Sequence, residues 1–238
     1  MSDAPQPEVI APESARILST LNWLRAGVLG ANDGIVSTAA IIFGVAGASA
    51  THATIMLTGI ASVAAGAMSM AVGEYVSVST QRDLEQAELE REKIELARDP
   101  EGQLATLADL FEQRGVSPAT AAEVAKEMSE KDALSVHARA ELGIDPQNIT
   151  NPWAAALASM ASFLVGGAIP VAALLFSPRA IEIPVAGVAV LIAMALTGFI
   201  SARLGKTPVA RSVLRNVLGG VLALAITYAV GKIVGTQI

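Results

Sequence analysis

The chain has 238 residues, 53% of them hydrophobic and only 4% aromatic, with no cysteine and a net charge of −6. Its Ala, Val, Ile, Leu and Gly fall in long runs, which excludes an ordinary soluble domain and points to a membrane protein. Without Cys there is neither disulfide nor thiolate ligation. The charge is concentrated: sixteen of the 22 acidic residues lie in 77–152 against eight basic ones, a balance that repels nucleic acid and attracts cations.

Residues 1–15, with Pro5, Pro7, Pro12 and three acidic residues, read as a disordered tail. They have neither the basic start nor the short apolar core of a signal peptide. Five segments are long enough to cross about 30 Å of hydrocarbon: 26–48, 53–76, 153–177, 183–204 and 211–235. Glycines along them, such as Gly30, Gly34, Gly66, Gly166 and Gly220, allow close helix approach. The expected organisation is the tail, spans one and two within 16–76, an acidic helical insert over 77–152, and spans three to five within 153–238. An odd number of spans argues against an inverted repeat in one chain.

Lys and Arg set the orientation. Counted from the amino terminus through each connection to the carboxyl terminus, they number 2, 0, 8, 1, 4 and 1. That alternation predicts a cytosolic amino terminus and insert, with the carboxyl terminus on the far side.

The second span does not stop at the bilayer. From Ala53 to Asp99 an apolar run passes into STQRDLEQAELEREKIELARD, and after Gly73 no Gly or Pro occurs until Pro100. One helix is therefore predicted to leave the membrane and continue as a charged rod. Pro100 and Gly102 make a turn, a second insert helix covers about 103–114, and Gly115 ends it. Ser117-Pro118 starts a third, running to about Leu142 with Gly143 as its stop. An insert of this size is too thin for a large core of its own.

On the charged rod, 100° per residue puts Glu85, Glu88, Glu92, Glu95 and Asp99 within an arc of about 80°. Five carboxylates on one stripe repel one another unless a cation sits among them. The bland alternative is a solvated face answered by Arg91, Lys93 and Arg98. Continuity with a membrane helix carrying Glu74 favours a cation site, and oxygen ligands suit Mg2+, Ca2+, Mn2+ and Fe2+. Asp33 lies inside the first span, where a carboxylate costs about 2.5–3.5 kcal/mol on insertion scales and is usually functional. The alternative there is an Asp capping a helix break at Gly34 beside Asn32. Met70 stands one turn before Glu74 on the same face, and its thioether favours transition metals. Met68 reads as packing. His52, in the far-side loop, and His137 are each by default surface residues, although His137 is four residues from Glu141. Glu182 is expected to be solvated beside Arg179. No phosphate loop, Ser/His/Asp grouping or nucleic-acid signature occurs, so the chain reads as a non-enzyme without a prosthetic group.

With these residues in view, NDGIVSTAAIIFGVAGA in span one, GAMSMAVGEYVSVSTQRDLE in span two and the insert ending in HARAELGI resemble the vacuolar iron transporter family. Its members move Fe2+ and Mn2+ out of the cytosol. The resemblance runs from about residue 20 to near the end. It implies an all-α integral membrane protein with five transmembrane helices and a cytosolic metal-binding insert between helices two and three. It also implies a homodimer with the ion path along its axis, lined by the first two spans, and metal/proton antiport. Asp33 and Met70 match the family's membrane ion path, Glu92 and Glu95 its first pair of cytosolic ligands, and Glu141 a ligand near the end of that domain. Gln103 and Thr106 stand where a second carboxylate pair is expected, with Glu101 nearby. Ala138 and Ala140 offer no donor near the last ligand, and His137 stands where a sulfur or other donor would be. Glu88, Asp99 and Glu101 are the substitutes within reach.

The resulting expectation is a multi-pass transporter exporting Fe2+ and Mn2+ in exchange for protons. Its membrane is the cytoplasmic one in a bacterium or the vacuolar one in a eukaryote. Zn2+, Co2+ and Ni2+ are tolerated by the same ligand types. A membrane-anchored metal sensor or buffer is the rival reading, and it has no use for Asp33 or Met70. An organic-cation carrier fits less well, because few aromatic faces are present for cation–π binding.

Overall fold

A computed structural model of the chain describes residues 12–237, with the side chains of 27–237. Residues 1–11 of the expected tail lie outside them, and Pro12 already opens the first helix. Among the described residues all regular structure is helical. The helices are α1 (Pro12–Gly47), α2 (His52–Arg98), α3 (Pro100–Gln113), α4 (Pro118–His137), α5 (Pro152–Phe176), α6 (Glu182–Leu204) and α7 (Val209–Gly235). Among the described residues, five stretches are long and apolar enough to cross a membrane: Gly27–Gly47, α2, α5, Arg179–Leu204 and α7. The rod predicted from the missing Gly and Pro is present as a single 47-residue helix, α2.

The chain divides into two compact units, described in turn. The first comprises Pro12–Tyr75 and Trp153–Ile238. One apolar cluster joins Ile35 and Ala39 of α1 to Val190 and Met194 of α6 and Leu224 of α7. Another joins Ile42 to Ile55 of α2, Leu174 of α5 and Ala186 of α6. In a bilayer such clusters gain little from the hydrophobic effect, so close packing and interhelical hydrogen bonds must hold them. Both are present. A Cβ on Gly34 would collide with the Phe163 carbonyl, and one on Gly166 with that of Ala31, so α1 and α5 touch backbone to backbone. Asn216 Nδ2 on α7 donates to Asn32 Oδ1 on α1 (3.1 Å) and to Thr197 Oγ1 on α6 (3.0 Å). Helix α1 runs through Asn32, Asp33 and Gly34 without interruption, so Asp33 caps no helix break.

Glu182 departs from its expected solvation. It is buried at the start of α6 and makes a 2.6 Å contact with Nδ1 of half-buried His52 at the start of α2. Neither residue is the free surface group predicted. A 130-residue separation hid the pair from a local reading.

The second unit is the helical insert, Val76–Pro152. The Asp99 carboxylate accepts from the Gly102 N–H at 2.9 Å and caps α3, with Pro100 in its first turn. Ser117 and Pro118 open α4 at the predicted place, although the Ser117 hydroxyl meets Thr120 Oγ1 at 2.9 Å and makes no cap hydrogen bond to the backbone. The core is small: Leu107, Ala121, Ala125 and Ala138 are fully buried. Asp132 breaks α4, with φ −161° and ψ 82°, and its Oδ1 accepts from the Ser135 N–H at 3.1 Å to restart the helix. Hydrogen bonding from the Ser135 side chain, and next from its N–H, holds the Asp132 carboxyl below the usual carboxylate range. After His137 the chain widens into a π turn, Ala138–Leu142, closed by Gly143 in the left-handed conformation (φ 67°).

Candidate metal centre and ion path

In the insert, the break at Asp132 and the π turn bring one side chain from α4 and one from the turn against α2. His137 and Glu92 are buried, at 1% and 5% exposure, and Glu141 is half-buried. His137 Nδ1 lies 2.7 Å from Glu141 Oε1 and 3.5 Å from Glu92 Oε1. A carboxylate only accepts, so the Nδ1 proton goes to Glu141. Glu92 Oε1 then has no hydrogen-bond partner although it is buried. Burial, and next the nearby Glu141 charge, push the Glu92 carboxyl above the usual carboxylate range; Glu95 adds to this, while His137 and Arg91 oppose it.

An unsatisfied buried carboxylate is costly, and polar groups that deep normally have partners. Glu92 Oε1 aims at a point that His137 and Glu141 also face. One ligand atom from each of the three residues lies within 4.8 Å of the others. Ligands about 2.1 Å from one ion stand up to roughly 4.2 Å apart, so a small inward movement suffices for binding. Two carboxylate oxygens and an imidazole nitrogen suit Fe2+, Mn2+ or Zn2+. An ion bound at Nδ1 would take the place of that proton, which in a neutral imidazole moves to Nε2.

The rest of the stripe is otherwise engaged. Glu85 accepts from Gln81 (2.8 Å) and Thr150 (3.2 Å). Glu88 pairs with Arg91 at 3.2 Å, and Glu95 lies 3.5 Å from Arg91 and 3.4 Å from Gln103 Nε2. Asp99 is the α3 cap, and Glu101 is exposed in the first turn of α3. Gln103 therefore reaches Glu95 with an amide where a second carboxylate was expected. Arg114 Nη2 donates to the Ala140 carbonyl at 2.8 Å, so this stretch without side-chain donors is anchored through its backbone.

In the membrane unit, Asp33, Met70 and Glu74 line one open groove of about 620 Å³, together with Ser37, Ser62 and Ser69. Asp33 comes from α1 and the other two charge- or sulfur-bearing residues from α2. Asp33 is exposed, while Met70 and Glu74 are half-buried. Gly66 and Gly73 keep the α2 wall low, and Phe163 of α5 closes one side. The groove offers two carboxylates, three hydroxyls and a thioether, the mixed hard and soft donors that a borderline divalent ion accepts.

Against this geometry, the VIT family's sequence profile matches residues 24–232. The chain is 43% identical to a protein of Acanthamoeba castellanii named vacuolar iron transporter, over 94% of this chain and 84% of that one. It is 32% identical to vacuolar iron transporter homolog 2.1 of Arabidopsis thaliana, over 94% and 87%, and 34% identical to homolog 5 of rice, over 97% and 89%.

The chain belongs to the VIT family.

The VIT family is one of transporters rather than enzymes, and this member is a multi-pass membrane protein. The matched range includes the groove and the buried triad alike. Besides the His52–Glu182 pair, sequence reasoning missed two features of this VIT-family chain. The Asp132 break, which swings His137 inward, had one available signal: an Asp three residues before Ser135 is a capping pattern. The Asn32–Thr197–Asn216 network had only the rarity of amides in apolar spans to mark it.

Proposed function

We propose that the protein is a proton-coupled exporter of Fe2+ from the cytosol that also accepts Mn2+ and works as a homodimer. The observation that carries the reading is the membrane groove, where the Asp33 carboxylate and the Met70 thioether line one cavity. A sensor or buffer has no need of that cavity. An ionised Asp33 facing lipid would cost about 2.5–3.5 kcal/mol on insertion scales, which favours a second copy covering the groove. The cation-poor first and third connections, set against eight Lys and Arg in the insert and four around the α6–α7 link, support a cytosolic insert.

In this reading Glu92, His137 and Glu141 collect the ion, and Glu74, Met70 and Asp33 conduct it. Protons compete for the same oxygens, so protonation of the groove carboxylates from the far side releases the metal. The test is Fe2+ flux into proteoliposomes with an imposed pH gradient. Acidifying the receiving compartment should accelerate flux. Flux indifferent to that gradient rules out antiport.

A further inference from the structure

We propose that the crevice between α1, α6 and α7 is a binding site for one anionic phospholipid. This crevice is separate from the metal groove and has a volume of about 440 Å³. Its walls are Val28, Leu29 and Leu204, and its polar lining includes Ser201, Ser212 and Arg215. Among the described residues no carboxylate lines it. The amides at its base are already occupied: Asn216 Nδ2 is shared among Asn32, Thr197 and the Met194 carbonyl at 3.0–3.2 Å. What remains facing the space is the Arg215 guanidinium with the hydroxyls of Ser201 and Ser212, the latter also 3.5 Å from Thr207 Oγ1, a set that selects an anion.

The surrounding charge strengthens the selection. Arg203, Lys206, Arg211 and Arg215 fall within thirteen residues, and the sequence contains no Asp or Glu after Glu182. All four side chains are exposed, and none makes an ion pair among the described residues. Arg203 lies over the Phe199 ring, 5.1 Å from its centroid. Arg211 and Arg215 are one turn apart on α7, whose first residue follows Pro208, a cap without a side-chain hydrogen bond. That uncapped helix start adds free N–H groups and positive dipole to the same end of the crevice.

A free phosphate would use the cations and leave the apolar walls idle. A phospholipid uses both, with its phosphate on Arg215 and its acyl chains along Val28, Leu29 and Leu204. Leu29 is 64% exposed and gives the chains a surface continuous with the bilayer. Cations at the ends of membrane helices lie at headgroup depth, where basic pockets between helices hold anionic lipids.

The test is native mass spectrometry of the detergent-solubilised full chain, offered phosphatidylglycerol and phosphatidylcholine at equal concentration. One retained phosphatidylglycerol per protomer is expected, in preference to phosphatidylcholine. Arg211→Gln combined with Arg215→Gln should weaken that binding about 30-fold, from roughly fivefold per cation near an anionic surface. Ser201→Phe, which fills the crevice and leaves every cation in place, should also abolish retention. Thermal stabilisation of the unaltered protein by phosphatidylglycerol over phosphatidylcholine gives a readout that needs no variant. Equal retention or equal stabilisation by the two lipids overturns the proposal. So does full binding by the double variant or by Ser201→Phe. Displacement of the lipid by millimolar inorganic phosphate would make this an ion site rather than a lipid site.

Discussion

Replacing Glu92 by Gln separates what the buried carboxylate costs from what it does. The residue is 5% exposed, and Oε1 has no hydrogen-bond partner. Gln keeps the shape, removes the charge and adds an N–H that can donate to Glu141. An unsatisfied buried group costs about 1–3 kcal/mol, and more when charged. Without metal at pH 7.5, Glu92→Gln should therefore stabilise the α4 end and π turn by about that amount. Backbone hydrogen exchange over Leu134–Leu142 in the full-length protein reads this as roughly 5- to 150-fold slower opening.

The sign with pH follows from the raised Glu92 pKa. A carboxyl whose folded pKa lies above its unfolded value holds more protons when folded between the two values. Stability falls as pH rises through that window and is flat above it. The wild type should thus gain protection on acidification from pH 7.5, and the variant should gain less. Added Mn2+ reverses the ranking, because losing a ligand should weaken binding at least 100-fold, when even outer-shell partners are worth 10–100-fold. Equal exchange in the two metal-free proteins at pH 7.5, with equal slowing by Mn2+, would refute the reasoning.

Three further outcomes are expected. His52→Ala leaves buried Glu182 without its 2.6 Å partner and should lower stability by about 2–3 kcal/mol, with His52→Gln recovering part, read by thermal denaturation in detergent. Gly34→Ala forces a Cβ into the Phe163 carbonyl, an overpacking worth about 1–3 kcal/mol, and should lower the Tm by about 5 °C. Met70→Leu removes the soft donor at nearly constant volume, and should reduce Fe2+ flux several-fold more than Mn2+ flux in competition assays.

The backbone was largely legible in the sequence. Long apolar runs located the spans, the gap between Gly73 and Pro100 gave α2 its length, and Ser117-Pro118 and Gly143 marked where the insert turns. The site was legible in part. Helical periodicity put five carboxylates on one stripe, but only Glu92 meets α4 and the π turn, and periodicity along one helix does not contain that choice. The i, i+4 spacing of His137 and Glu141 was visible. Their burial was not, because it depends on the break at Asp132. The His52–Glu182 pair eluded local reading because its two halves come from distant segments.

Iron flux through Asp33→Asn tests the central claim most directly, with metal binding measured on the same preparation. Asp33 lines the membrane groove and belongs to no ligand cluster in the insert. The variant should lose at least about 90% of Fe2+ transport into proteoliposomes, since a missing transition-state or site charge commonly costs tenfold or more. Its Mn2+ affinity at Glu92, His137 and Glu141 should be unchanged. Transport at the wild-type rate would contradict the account and leave the protein a metal buffer in the membrane.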